Sequence, residues 1–397
     1  MNPQDFSNSP SGKTIQTRQG YWAYVPNTLP PPIEYNGAVV QLISEAERAL
    51  GELSGAGSLL PNPNILISPY IRREAVSSSR IEGTQASLSD LFFFEASGAE
   101  ESPRSDVQEV QNYVRAIDYG LERLKELPLS VPLLCEIHGI LFKGLKGEDN
   151  PPGEVRRRQN WIGPPGRSLY EATFVPPPVE ELKPVLDALD QYLKSRPITA
   201  SGGIAPGALT EPLLIQCALV HYQFEVAHPF TDGNGRIGRL LVTFFLREKG
   251  LLGQPILYLS EFFDKFKEEY YQKLLGVSQK GAWSGWFEFF LRGVAHQARA
   301  ALADARKIIE LHAEYQTGLG QTKKIPGAAQ RLIEEIFFNP VISVAGLSRK
   351  WSLPFNSVKK GVQRLVEIGI LKESTGKKRD RLFVAPKLMK LLTSQET

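Results

Sequence analysis

His228-Pro229-Phe230-Thr231-Asp232-Gly233-Asn234-Gly235-Arg236-Ile237-Gly238-Arg239 is the stretch on which the reading of this chain turns. The apolar run PLLIQCALVHYQFEVA (212–227) leads into it and IGRLLVTFFLREKG (237–250) leads out, which places it on a loop between two buried helices. Asp232-Gly233-Asn234-Gly235 strings together residues tolerant of positive φ, so successive backbone N–H groups can face one concavity. That concavity opens onto a helix N-terminus, where unsatisfied amides and the helix dipole favour an anion. Arg236 and Arg239 lie about one turn apart and can each offer a planar fork to phosphate. Asp232 is a hard oxygen donor of the kind Mg2+ takes beside nucleotide oxygens, and His228 is a base with a pKa near neutrality. Base, carboxylate, anion nest and arginines together describe phosphoryl or nucleotidyl transfer.

Outward from the loop, nearly all the periodicity between Asn36 and about Gly318 is helical. Stretches at about 105–126, 130–145, 178–195, 208–226, 234–249, 262–276 and 285–314 read as helices. Another is announced by Ser68-Pro69, a cap followed by proline, and ends at Gly83. NWIGPPGRSLYEATFVPPP (160–178) breaks the pattern: Asn160-Trp161-Ile162 and Thr173-Phe174-Val175 read as the two strands of a small β-hairpin. Residues 1–35, with the proline-rich YVPNTLPPPIEY, are expected to run as an extended arm over the body. The expected division is an arm (1–35), an N-terminal helical region (36–104), a core (105–317) and a tail domain (318–397).

Composition narrows the class further. The 397 residues are 42% hydrophobic and 22% charged, values that exclude wholesale disorder and rod-like folds. Two cysteines, Cys135 and Cys217, cannot build a disulfide scaffold or a cysteine zinc cluster. A polar N-terminus and the lack of an uninterrupted apolar span imply a soluble, cytoplasmic protein with no membrane partner. The net charge of +3 hides an asymmetry. Residues 321–397 hold 15 Lys and Arg against 6 Asp and Glu, leaving 31 basic and 37 acidic residues before them. An acidic body with a basic tail suggests that the tail faces nucleic acid.

The central string resembles the signature of the Fic (Fic/Doc) family, His-x-Phe-x-Asp/Glu-Gly-Asn-Gly-Arg-x-x-Arg. His228, Phe230, Asp232, Gly233, Asn234, Gly235, Arg236 and Arg239 match it without departure. The resemblance implies a mainly α fold with a β-hairpin flap, and transfer of AMP from ATP to a Ser, Thr or Tyr hydroxyl of a protein, the chain itself included. On that basis His228 deprotonates the hydroxyl, Asp232 holds Mg2+ and Phe230 anchors the loop. The ATP site would span Gly233, Asn234, Gly235, Arg236, Ile237, Gly238 and Arg239, with Arg239 on the γ-phosphate. The hairpin becomes the flap that clamps the target through Asn160, Trp161, Ile162, Thr173, Phe174 and Val175. LYLSEFFDKFKEEYYQKLL (257–275) resembles the helix whose tyrosines wall the adenine, here Tyr270 and Tyr271, though core packing explains the same spacing. PYIRREAVSSSRIEGTQAS carries Ser78-x-x-x-Glu82-Gly83, the pattern of the family's inhibitory helix (about 68–83). Ser78 and Glu82 share a helix face, and a carboxylate at the negative end of a helix calls for a partner such as Arg239.

The tail reads as three helices, GAAQRLIEEIFF, SVAGLSRKWSL and PFNSVKKGVQRLVEIGIL, followed by two short strands in LKESTGKKRDRLFVA. It resembles a winged helix-turn-helix domain. Asn356, Ser357, Lys359, Lys360, Gln363 and Arg364 would face DNA, and Lys377, Lys378, Arg379 and Arg381 would meet phosphates from a wing at 376–381. The domain at 326–391 serves equally for homodimerisation or protein docking. Three functions follow: an autoinhibited protein adenylyltransferase, a transcriptional regulator with a Fic sensor, or a Fic enzyme of altered chemistry such as AMP removal. His138 and His221, on apolar helix faces, read as packing residues.

Overall fold

The computed structural model describes residues 1–58, 62–97, 105–145, 151–164, 166–195, 211–321, 327–377 and 379–394. In chain order it contains β1 (Gly12–Gln16), β2 (Trp22–Pro26), α1 (Gly37–Ser58), α2 (Asn64–Ile81), α3 (Leu88–Ser97), α4 (Ser105–Arg123) and α5 (Val131–Leu141). There follow α6 (Val179–Lys194), α7 (Leu213–Ala227), α8 (Asn234–Glu248), α9 (Ser260–Lys265), α10 (Lys267–Lys280) and α11 (Trp283–Gly320). Last come α12 (Gly327–Phe338), β3 (Val341–Ser343), α13 (Val344–Trp351), α14 (Phe355–Glu367), β4 (Lys372–Glu373), β5 (Leu382–Val384) and α15 (Pro386–Thr393). No described helix is long and apolar enough to cross a membrane.

Two compact units are interleaved along the chain. The first holds residues 1–51, 115–252 and 259–298. Its centre is the pair α7 and α8, whose side chains are almost all buried; α7 is apolar on nearly every side, whereas α8 buries Asn234, Arg236 and Arg239 together with its apolar residues. Gly120 lets α4 close on α8, since a Cβ there would lie 2.3 Å from the Phe244 ring. Trp286 of α11 donates its indole N–H to the Ala218 carbonyl at 3.0 Å, docking a third helix on α7. Leu182, Val185 and Leu186 of α6 pack with Val25 and Ala227.

The N-terminal residues depart from the expected extended arm. β1 and β2 pair antiparallel, Gly12 opposite Pro26 and Gln16 opposite Trp22. Ala23, Tyr24 and Val25 of β2 are buried with Ile15 half-buried opposite, and the proline-rich stretch that suggested an arm starts inside β2, whose last residue is Pro26. Tyr24 donates its amide to Val175 at 2.9 Å, and its ring lies 5.6 Å from that of Phe174. The hairpin expected at 160–175 shrinks to one antiparallel bridge, Ile162 with Phe174, because the loop between folds into a 3-10 turn at Leu169–Glu171. The helix expected over 262–276 breaks at Phe266, whose φ of −115° and ψ of 38° leave the helical region.

The second unit holds residues 52–114, 253–258 and 299–397. α12, α13 and α14 pack beside a three-stranded antiparallel sheet of order β3-β5-β4. Gly361 permits close approach of α14 to α12, with Leu332 and Ala328 at 2.8 and 3.2 Å from where its Cβ would stand. α2 begins at Asn64, four residues before the expected cap, and Pro69 lies inside it. Ser68 does not cap: its hydroxyl donates to the Phe338 carbonyl at 2.9 Å, and buried Ile65 and Leu66 extend the helix upstream. Arg72, stacked over the Phe338 ring at 4.8 Å, pairs with Glu95 at 2.8 Å.

Candidate active site

α7 ends at His228, which adopts the left-handed conformation, φ 47° and ψ 58°. A non-glycine residue there gives up about 1 kcal/mol, so the backbone on both sides has to hold it. On one side the His228 amide donates to Phe224 at 3.0 Å. Beyond it, the loop returns through Phe230 and Asp232 to Gly233, whose φ of 75° starts α8. Gly233 is required twice over, because a Cβ would also stand 2.4 Å from the Phe142 ring. Asn234 closes the loop from inside: its Oδ1 accepts from the Phe230 amide and its Nδ2 donates to the Phe230 carbonyl, both at 2.8 Å. The expectation gave Asn234 to phosphate, but its amide side chain is spent on the loop.

Three histidines around this loop have tautomers fixed by the main chain. The His228 Nδ1–H donates to the Glu225 carbonyl at 3.1 Å, which makes Nε2 the basic nitrogen. His138 accepts the Gly153 amide at Nδ1, 2.8 Å, and therefore donates from Nε2 to the Asp232 carbonyl at 3.1 Å. Its ring stacks on Phe230 at 3.9 Å. His221 donates from Nδ1 to the Gly238 carbonyl at 2.8 Å and accepts the Tyr270 hydroxyl at Nε2, also 2.8 Å. Burial pushes His138 down to about 4 and His221 down to about 3, with Arg236 and Arg239 respectively adding to the effect. Both are thus neutral at physiological pH. Packing is what the sequence suggested for them; what it missed is that His138 ties Gly153 to the loop and His221 ties α8 to Tyr270 of α10.

Two arginines lie in the first turns of α8. Arg236 and Arg239 are each 3% exposed, with the Arg236 guanidinium 4.9 Å over the Phe142 ring. Asp232 is 65% exposed at its side chain, accepts the Gly233 amide at 2.5 Å and lies 3.6 Å from Arg236. Gly235 sits in the same turn, whereas Ile237 points into the core. Gly238 abuts Glu225, whose Oε1 would be 2.1 Å from an added Cβ. Among the described residues no group of three or more His, Cys, Asp and Glu side chains could cage a metal. The exposed Asp232 carboxylate beside Arg236 would suit an ion that arrives with phosphates and keeps its water.

Residues 40–122 match the Fic/DOC family N-terminal domain, and residues 128–246 match the Fic/DOC family domain. The chain carries both Fic/DOC family domains. A probable protein adenylyltransferase of Aquifex aeolicus is 28% identical over 187 residues, 46% of this chain and 49% of that protein. The protein adenylyltransferase fic-1 of Caenorhabditis elegans is 27% identical over 150 residues, 37% of this chain and 23% of that protein. The chain thus matches less than half the length of these curated relatives. Among solved structures, a Fic family protein from Desulfovibrio desulfuricans shares the fold with a TM-score of 0.57 at 19% identity, covering 90% of this chain and 98% of that one.

Other residues expected at the Fic site divide by environment. In the flap, Trp161 and Ile162 are exposed, 43% and 41%, as is Thr173, whereas Phe174 and Val175 are buried. Asn160 turns inward, its Nδ2 donating to the carbonyls of His228 at 3.3 Å and Phe230 at 2.8 Å. Tyr270 is a buried support, stacked on Phe263 at 4.6 Å, while Tyr271 beside it is 44% exposed. In the second unit, Ser78 is buried and Glu82 is the C-cap of α2. Gly83, φ 103°, makes the left-handed turn after it, and Thr84 donates back to Ser79 at 3.2 Å. Missed entirely was Arg156, 2% exposed, whose Nε donates to His228 at 2.9 Å. Arg157 and Arg158 beside it are exposed, and nothing in three consecutive arginines tells which one is buried.

Proposed function

We propose that this chain is a protein adenylyltransferase, moving AMP from ATP to the hydroxyl of a protein Ser, Thr or Tyr. The observation that carries the reading is the loop joining α7 to α8. It holds a histidine with a fixed basic Nε2 at one end and a helix N-terminus flanked by two buried arginines at the other. His228 Nε2 takes the proton of the attacking hydroxyl, the oxygen attacks the α-phosphorus, and pyrophosphate leaves. The amides of the first turn of α8, with Arg236 and Arg239, hold and orient the phosphates. Asp232 would hold Mg2+, which when bound neutralises charge on the phosphates. The exposed edge at Trp161 and Ile162 pairs with the target backbone, and Tyr271 offers its face to the adenine. Labelling separates the chemistries: AMP transfer puts the α label of ATP, and never the γ label, on protein. Incorporation of the γ label would mark phosphate transfer, and loss of pre-attached AMP would mark the reverse activity.

In this reading Glu82 is an autoinhibitor. Support comes from Ser78-x-x-x-Glu82-Gly83, which puts a carboxylate at the end of α2 where helix dipole and charge oppose each other. It would compete with the γ-phosphate of ATP for Arg239. The tail unit supports a second reading, that of a DNA-binding winged helix. Asn356, Ser357, Lys359, Lys360 and Gln363 all lie on the exposed side of α14; Arg364 is half-buried against Glu367, and Lys378 lies outside the described residues. The full chain should then bind duplex DNA at 50 mM salt and release it steeply as salt rises. A homodimer in place of DNA binding would show as a concentration-dependent change in mass.

A further inference from the structure

Residues 156–160, which lead into the exposed edge of the flap, take hold of three successive carbonyls of the catalytic loop. Arg156 donates its amide to Pro229 at 2.8 Å and its Nε to His228 at 2.9 Å. Asn160 Nδ2 reaches His228 at 3.3 Å and Phe230 at 2.8 Å. The same guanidinium extends the other way, donating to Pro177 at 2.6 Å and Arg158 at 3.3 Å. Gln159 adds a bond to Pro176 at 3.1 Å. One buried cation therefore joins the outgoing arm of the flap, its returning arm and the loop that carries the base.

Burying a guanidinium is costly unless its donors are met, and here all three side-chain hydrogen bonds go to main-chain carbonyls. The three bonds leave from three different nitrogens of one plane, a span that the single nitrogen of an ammonium lacks. The consequence for His228 is geometric. Its amide is fixed by Phe224 and its carbonyl by Arg156 and Asn160, so both torsions of its left-handed backbone are held from outside. With φ and ψ set, the Cα–Cβ direction is set, and the bond from Nδ1 to Glu225 fixes the ring.

We propose that Arg156 and Asn160 are positioning residues for the base, holding His228 in its left-handed conformation and coupling that conformation to the flap. This rests on the adenylyl-transfer reading for its effect on rate, but its geometric content does not. Arg156→Lys keeps the charge and loses the fork; Asn160→Asp keeps the volume and turns donors into acceptors facing two carbonyls. Both variants should lower kcat at least tenfold with KM for ATP within threefold. With only 5 histidines in the chain, nitrogen-15 spectra of labelled protein resolve each ring. Wild type should show a single His228 tautomer with its proton on Nδ1, and each variant a mixture of tautomers, at unchanged cooperative melting. Unchanged His228 nitrogen signals in the variants would overturn the proposal whatever the activity. Should Arg156→Lys fail to fold, Asn160→Asp carries both readouts. A wild-type chain without AMP transfer would sink the functional reading alone, since the spectra need no turnover.

Discussion

At the scale of single residues, the site is a set of protonation states chosen by backbone partners. One carbonyl holds the His228 proton on Nδ1, and one amide makes His138 a donor to Asp232. Because burial holds His138 at about 4 against an ordinary 6.5, the unfolded chain takes up its proton first as pH falls. The stability that neutral His138 contributes is complete above about pH 6.5 and drains away between 6.5 and 4. By pH 5 the loss is on the order of 2 kcal/mol. His138→Gln, which cannot charge, should therefore show a shallower fall in melting temperature from pH 7.5 to 5 than wild type; an identical fall would remove His138 as the cause. The loop that carries His228 and Asp232 was legible because the spacing of its glycines between two apolar runs encodes it. Arg156 was not, since hydrogen bonds to carbonyls leave no mark in sequence. Nor was the inward turn of Asn160 and Asn234, as an amide suits a ligand and a loop equally.

At the scale of elements, the first turn of α8 depends on a glycine that sequence reading named for its tolerance of positive φ. The structure adds a second demand, the 2.4 Å approach to Phe142, whose ring also lies under Arg236. Gly233→Ala should strain the turn and push Phe142 from beneath the arginine. It should lower stability by roughly 1–3 kcal/mol and ATP affinity more than tenfold, read by thermal melting and calorimetry; wild-type affinity would show that the turn does not hold phosphates. α7 and α8 were legible because their apolar runs admit nothing else. The start of α2 was not, because Ser68-Pro69 imitates a cap while Ser68 is recruited by the distant Phe338 carbonyl. β1 and β2 were hidden for a related reason: five-residue strands stabilised by Phe6, Tyr24 and Phe174 draw on contacts far along the chain.

At the scale of the whole molecule, the sequence separated an acidic body from a basic tail, and contacts divide the chain into two units along a different line. Residues 52–114, which include α2, group with the basic C-terminal residues, not with the base-bearing loop. No reading of composition could place them so, since α2 packs along α12 through contacts between residues far apart in sequence, and Asn62, just before α2, reaches Glu334 at 2.8 Å. The proposed restraint by Glu82 is tested by removing its carboxylate. Glu82→Gly should raise incorporation of the α label by one order of magnitude or more, the range of a displaced charge-assisted contact of about 1.5–3 kcal/mol. Activity equal to wild type would reduce Ser78–Gly83 to an ordinary helix end. That variant also provides the background for the decisive measurement, transfer of α-labelled AMP to protein by Glu82→Gly with and without His228→Ala. The second change should remove a factor of ~10²–10⁴ while ATP binding stays within a few-fold. Label incorporated at the same rate without His228 would contradict the assignment of the base.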